Sequence, residues 1–398
     1  MHVITPSRVA GAETFLLRLA RHADVGQARH YCITSRNRII HDLRSEGLEL
    51  ESLRIGGKAN LLAVPRLYRA ARRLRANVTH SHLSSASWWC GWLSQLGGPP
   101  SIGHVHGFTS AHWHRHQTHL IACSAAVKAD LIDKGIAANR ITVMHYPVDP
   151  SDQAPTRLPA VVRAELGAEV DTPVIGTFAH LSPKKGYREL VRAARLVLDR
   201  FPRAQFWCFG EGVLRNEIAE KARALGIADR FKLLGFRRDV ADLMRAVDVM
   251  CLPSHREPFG LVYVEAGLAA KPVIACDAGG APEVIATGET GLLVPPPFPF
   301  SAAGFASVSP SKRFWLGGPK QYPPAHNITN LAEAILTLID NRGQAAAMGR
   351  RGRELALERY CWPKYLAQLQ GLYESVLPAR VNLGELAPRG PLAIRQAA

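Results

Sequence analysis

Glu257 and Glu265 stand eight positions apart within Pro253–Glu283, PSHREPFGLVYVEAGLAAKPVIACDAGGAPE. A buried-looking strand, Asp248 to Leu252, runs into a short polar loop carrying Glu257. A helix opening near Phe259-Gly260 then carries Glu265 about two turns in. Both carboxylates can face the helix N-terminus, where unpaired N–H groups and a partial positive charge suit a phosphate. Carboxylates repel phosphate, so they are suited instead to sugar hydroxyls, accepting from two neighbouring OH groups at once. Phosphate-favouring dipoles flanked by diol-reading carboxylates describe a nucleotide-sugar site. Solvated glutamates on an amphipathic helix would explain either residue alone. The whole string, with its glycine turn Asp277-Ala278-Gly279-Gly280, is more specific.

That string resembles the Glu-x7-Glu signature of retaining glycosyltransferases of family 4 (glycosyl transferases group 1), including the following P-V-I-A-x-D-x-G-G-x-P-E run. The resemblance covers about residues 8 to 297 and 330 to 375. It implies an α/β protein of GT-B fold, two Rossmann-like domains with parallel sheets facing across a cleft and a C-terminal helix crossing back to the first domain. By the same resemblance Glu265 accepts from the ribose hydroxyls and Glu257 holds the donor sugar. Backbone N–H groups at Phe259, Gly260 and Leu261 meet sugar and phosphate, and Phe236-Arg237 lies where the family contacts the nucleobase. Lys185, before Gly186, matches the family lysine; its ammonium offsets charge gathering on the departing nucleoside diphosphate. The family's arginine position is His180 here. A neighbouring diphosphate would raise a histidine's pKa, making it a weaker, pH-sensitive phosphate clamp, or else His180 is a strand-end spacer.

In the first half, His104-Val105-His106-Gly107 ends a strand-like run and resembles the family's strand-end His-Gly, in which the histidine approaches the donor sugar. That role is carried to His106. Gly11-Ala12-Glu13 resembles the family's G-G-x-E entry motif with Ala10 in place of the first glycine, and Gly11 lets backbone approach an anion at a helix start. Tyr146-Pro147 replaces the usual Asn-Gly before Val148-Asp149. The reaction implied is transfer of a hexosyl group with retention, from a UDP- or GDP-linked sugar to a glycan or lipid-linked acceptor. No metal or other cofactor is required, since the nucleotide sugar is a substrate. By family association, the product belongs to bacterial cell-surface polysaccharide (lipopolysaccharide or exopolysaccharide).

The chain has 398 residues, 47% hydrophobic and 21% charged, enough for two domains with separate cores. Strand and helix patterns alternate through both halves, as parallel sheets covered on both faces require. The expected division is an acceptor-side domain over 1–160, a donor domain over 161–362, a crossover helix over 363–377 and a disordered tail over 378–398. Residues 296–329 interrupt the donor domain. Eight prolines between 295 and 324, with aromatics among them, read as a disordered insertion or as an acceptor- or membrane-contacting loop.

Residues 1–150 carry 18 Lys/Arg against 9 Asp/Glu, whereas 167–300 carry 17 against 16. A basic first half attracts an anionic membrane, a phosphorylated acceptor or nucleic acid, although general solubility explains it too. The helix near Leu62 to Arg75 carries arginines beside leucines and alanines; it suits an anionic membrane surface or simply presents a solvated arginine face. Nucleic acid has only charge in its favour. His112, His114, His116 and His119 alternate without an acidic or cysteine partner and read as a polar acceptor-side loop rather than a metal site. Gly210-x-Gly212 lacks the third glycine of a dinucleotide fingerprint, with Arg215 in its place. Seven scattered cysteines without a CxxC pair read as reduced core residues of a cytoplasmic protein, peripheral on the membrane at most. A catalytically inactive nucleotide-sugar-binding subunit of the same fold is the competing reading.

Overall fold

In this computed structural model the described residues are 1–5, 11–22, 31–34, 49–297 and 325–377. The first sheet joins β1 (His2–Ile4), β2 (Tyr31–Thr34), β3 (Glu49–Ser52), β4 (Thr79–His82), β5 (Ser101–Val105), β6 (His119–Ala122) and β7 (Ile141–Val143). Its order is β3-β2-β1-β4-β5-β6-β7, every pair parallel. The second joins β8 (Val174–Phe178), β9 (Gln205–Phe209), β10 (Phe231–Gly235), β11 (Val249–Leu252), β12 (Val273–Cys276) and β13 (Gly291–Val294) in the order β10-β9-β8-β11-β12-β13, again all parallel. Strands such as Val249–Leu252 and Val273–Cys276 are apolar and buried throughout, because helices cover both faces and no alternation is needed. The strand order reverses between β1 and β4 and between β8 and β11, and a doubly wound sheet binds ligands in that crevice, at the C-terminal strand ends.

The expected α/β architecture of two Rossmann-like domains is what the chain forms. Some elements differ from the pattern reading. Pro159–Glu165, which runs across the expected division at 160/161, is a helix opened by a proline whose fixed φ suits the first helical position. β13 was not anticipated; its four residues gain strand character only by pairing with β12. A single helix spans Arg342–Arg359, its start capped by the Asn341 side chain, which accepts from the Gln344 N–H at 3.0 Å.

After that helix the chain returns to the first domain. Trp362–Val376 buries Trp362, Tyr365, Leu369 and Leu372 against Phe15, Leu16 and Leu19 of the Gly11–His22 helix, and against Ile4, Ile102 and Ile121 of the sheet. A second apolar cluster joins Phe259, Val264, Leu268 and Tyr360 of the donor side to Val105, Leu120, Cys123 and Val148 of the first domain. The proline- and aromatic-rich insertion, apart from its first two residues and its last five, and the tail from 378 lie outside the described residues. The six described cysteines are unpaired. Among the described residues, no helix is long and apolar enough to cross a membrane.

Candidate active site

The loop after β11 is fixed by backbone before any side chain is aimed. His255 N–H and the Ser254 hydroxyl donate to the Lys184 carbonyl at 2.8 and 3.1 Å, tying this loop to the one after β8. Gly186 sits at φ 73°, and a Cβ there would lie 2.0 Å from the Pro253 carbonyl oxygen. Gly279, at φ 63°, passes so close that a Cβ would lie 2.1 Å from the Glu257 carbonyl oxygen, while Gly280 N–H donates to that same oxygen at 2.8 Å. Only glycine combines that φ with that approach. The Leu261–Leu268 helix is anchored beneath, where the Tyr263 hydroxyl donates to the Leu252 carbonyl at 3.0 Å.

These constraints bring together residues 72 positions apart in the chain. Lys185 Nζ meets Glu257 Oε2 at 2.6 Å, both side chains largely buried. Glu265 is engaged elsewhere. Its Oε1 lies 3.5 Å from the Arg18 guanidinium of the Gly11–His22 helix, and Arg18 Nε lies 2.8 Å from Asp152. These three residues line a cleft of about 400 Å³ with Arg238, Asp239 and Asp242. Burial pushes the Glu265 carboxyl above its usual range, Arg18 pulls it down, and Asp152 pushes it up again. Arg18→Ala is therefore expected to raise the Glu265 pKa further, which carboxyl-detected NMR titration measures directly. An unmoved Glu265 titration would rule Arg18 out as the group that keeps this carboxylate charged.

The first domain supplies the opposite wall. Gly107 abuts the loop so closely that a Cβ would lie 3.3 Å from Pro258 Cγ. His106 follows β5, but both its ring nitrogens are used inside its own domain: Nε2 faces His82 Nδ1 at 3.1 Å and Nδ1 faces the Tyr146 hydroxyl at 2.6 Å. His106 thus meets the cleft as a half-buried ring wall and not as a free proton carrier. Tyr146 and His145 pack on Phe259, with ring centroids 5.7 and 5.2 Å away. Glu283, the last residue of the glycine-turn motif, crosses between the domains. Its carboxylate accepts from the Ala125 and Ala126 N–H groups at 2.7 and 3.0 Å, at the start of the Ala125–Asp133 helix, and lies 2.9 Å from His145 Nε2. Arg256 reaches Asp130 at 2.6 Å and stacks over Phe108.

Other anticipated residues are placed less centrally. Gly11 opens its helix in open space without a left-handed φ, so no close approach there requires glycine. Phe236 is 72% exposed just past β10, and Arg237 is held by Asp239 and Glu165. His180 is exposed after β8, beside the Gly210–Gly212 turn. The alternating histidines disperse: His114 meets Ser87 at 2.7 Å, His119 meets Thr142 at 2.9 Å, His112 stacks on Trp88 and His116 packs at a tilt against Trp92. Arg18, Asp152 and Glu283 escaped the sequence reading, since each acquires its role through a partner over a hundred positions away.

Two parallel-sheet Rossmann-like domains, facing one another over a lysine–glutamate pair at a topological switch point, define a GT-B architecture. Two family models match in tandem: Glycosyltransferase Family 4 over residues 9–152 and Glycosyl transferases group 1 over residues 161–304. The chain belongs to the GT-B glycosyltransferases of these families. A D-inositol 3-phosphate glycosyltransferase of Corynebacterium glutamicum (strain R) is 29% identical over 223 residues, 54% of this chain and 46% of that protein. A GDP-mannose-dependent monoacylated alpha-(1-6)-phosphatidylinositol monomannoside mannosyltransferase of C. glutamicum (strain ATCC 13032) is 27% identical over 253 residues, 61% of this chain and 55% of that protein. The chain spans about half the length of these curated relatives. Among solved structures, Anabaena Alr3699/HepE in complex with UDP shares the fold with a TM-score of 0.78 at 22% identity, covering 94% of this chain and 99% of that one. A glycosyltransferase from Rickettsia africae ESF-5 does so with a TM-score of 0.78 at 17% identity, covering 94% and 98%.

Proposed function

We propose that this protein is a retaining glycosyltransferase that moves a sugar from a nucleoside-diphosphate sugar to a glycan or lipid-linked acceptor. The observation that carries the reading is the Lys185–Glu257 pair at the β8/β11 switch point, with Glu265 in the adjoining interdomain cleft. Lys185 offsets the leaving diphosphate, Glu257 holds donor-sugar hydroxyls and Glu265 reads the ribose diol. The N–H groups of Phe259, Gly260 and Leu261 meet sugar and phosphate, and His180 is read as a further member of the clamp. Closing the domains excludes water, so that the sugar is transferred and not hydrolysed. The relatives named for inositol phosphate and phosphatidylinositol acceptors, together with the basic first half, favour an acceptor bearing phosphate.

The test is thermal stabilisation by UDP-, GDP- and ADP-sugars, since a ligand bound to the native state raises stability with its concentration over Kd. One nucleotide class is expected to stabilise the parent strongly and the Glu265→Ala and Lys185→Ala variants weakly. A folded parent that responds to none of them ends the reading.

Two further readings rest on particular features. His106, with both nitrogens engaged, favours a binding subunit without turnover; stabilisation by a donor with neither transfer nor hydrolysis would establish it. The Ala63–Arg73 helix exposes Tyr68, Arg69, Arg72 and Arg73, next to Leu61 (81% exposed) and Leu62 (58%), a combination suited to the headgroup layer of an anionic membrane. Co-sedimentation with phosphatidylglycerol vesicles, absent with phosphatidylcholine, is the expected result. Equal behaviour with both lipids would rule this surface out.

A further inference from the structure

Five histidines from three neighbouring strands meet on the face of the first sheet that the Trp362–Val376 helix covers: His2, His80, His82, His104 and His106. Residues two apart on a strand share a face, and the parallel register sets His2 beside His80 and His82 beside His104. Burial, with the neighbouring histidines adding to it, holds His80, His104 and His106 well below the usual histidine range, and burial alone takes His82 down to about 3.

Hydrogen bonds account for only part of their nitrogens. His82 Nε2 faces His2 Nδ1 at 3.1 Å, in line with the contacts of His82 Nδ1 to His106 and of His106 Nδ1 to Tyr146. His104 is 1% exposed, and neither of its ring nitrogens has a hydrogen-bond partner. An unpaired buried polar group is destabilising, and native proteins keep such groups where a water, an ion or a function meets them. Ligand nitrogens of His82, His104 and His106 all lie within 4.8 Å of one another.

We propose that His82, His104 and His106 bind a late first-row transition ion such as Zn²⁺, through His82 Nδ1, His106 Nε2 and one nitrogen of His104. Three neutral imidazoles without a carboxylate suit Zn²⁺, Co²⁺ or Ni²⁺ and not Mg²⁺ or Ca²⁺. The remaining nitrogens of His82 and His106 are held by His2 and the Tyr146 hydroxyl, the outer hydrogen bonds that fix a ligating imidazole's orientation. The half-buried His106 gives the ion a way in from the cleft, which the enclosed triad of His2, His80 and His82 lacks. Metal–nitrogen bonds of 2.0–2.1 Å set ligand nitrogens roughly 3.3 Å apart around a tetrahedral ion, so a turn of the His104 ring completes the set. Every ligand belongs to the first domain, and His106 is shared with the wall of the donor cleft, so metal loading is read without donor present.

The full chain, stripped with EDTA and desalted, is to be titrated with Co²⁺ and with Zn²⁺. Visible d–d absorption and about one equivalent of metal by mass spectrometry are expected. His104→Leu should lose that equivalent and Tyr146→Phe should weaken binding about 10- to 100-fold, with circular dichroism confirming that both variants fold. Sub-stoichiometric metal and no cobalt bands in the folded parent would overturn the proposal, leaving imidazoles linked only by shared protons. Full binding by folded His104→Leu would overturn it as well.

Discussion

Replacing Lys185 by methionine is expected to lower kcat/KM for sugar transfer about 10²- to 10³-fold, some 2.7–4 kcal/mol of transition-state stabilisation. Methionine keeps the unbranched stem and removes the ammonium, with both its charge and its donors. Charge builds on the diphosphate oxygens as the glycosidic bond breaks, so an ammonium held in a largely buried site acts most strongly at that moment. The loss should therefore fall mainly on kcat. If KM alone rises, Lys185 grips ground state and transition state equally and is a binding group. Removing Lys185 also leaves Glu257 with an unpaired carboxylate, and Glu257→Gln separates that effect. The double variant should cost less than the two single losses combined, because the residues share one contact.

Glu283→Ala is expected to cost about 2–3 kcal/mol of stability, from two N–H donors at a helix start left without their carboxylate. For domains of this size that is roughly 4–12 °C in Tm. The pH dependence has a definite sign. Burial works against the Glu283 carboxylate, but His145 and the Ala125 and Ala126 N–H groups outweigh it, so its pKa lies below the ordinary value. Its contribution is fully present above the unfolded glutamate pKa of about 4.3 and is lost as pH falls through the lower folded value. Difference melting curves of parent and variant should hence stay apart near neutrality and converge in acid. A constant difference down to the lowest pH would mean that the carboxylate's charge is not what joins the domains. Because the contact spans the cleft, the variant should also open more readily and hydrolyse donor in place of transferring it.

What the sequence revealed of this site follows from distance along the chain. Glu257, Gly260 and Glu265 lie within one strand–loop–helix unit, so the whole string and its family resemblance pointed to a ligand-facing cluster where either glutamate alone did not. Lys185 was legible because a motif pins it to Gly186, whose φ of 73° the structure explains through its contact with Pro253. Arg18 is one arginine among many on a helix face until the second domain brings Glu265 to it. Glu283 reads as the end of a glycine-turn motif, and nothing local announces that it caps a helix of the other domain. The histidine layer was half visible. His80-Ser81-His82 and His104-Val105-His106 have strand spacing, but only sheet register sets the two pairs side by side. The crowded segment from His112 to His119 is dense in histidine, yet its rings divide between Ser87, Thr142 and the Trp88–Trp92 pair.

The return of Trp362–Val376 to the first domain has a consequence for how the protein is made. The core around Phe15, Ile102 and Ile121 is closed by side chains synthesised more than two hundred residues later. A ribosome that has released the first domain has therefore released an apolar surface still waiting for its cover. Folding cannot finish strictly in order from the N-terminus, and long-range closure of this kind is slow and prone to aggregation. A nascent chain stalled before Trp362 should be a substrate for holding chaperones, and a fragment ending at residue 150 should be insoluble.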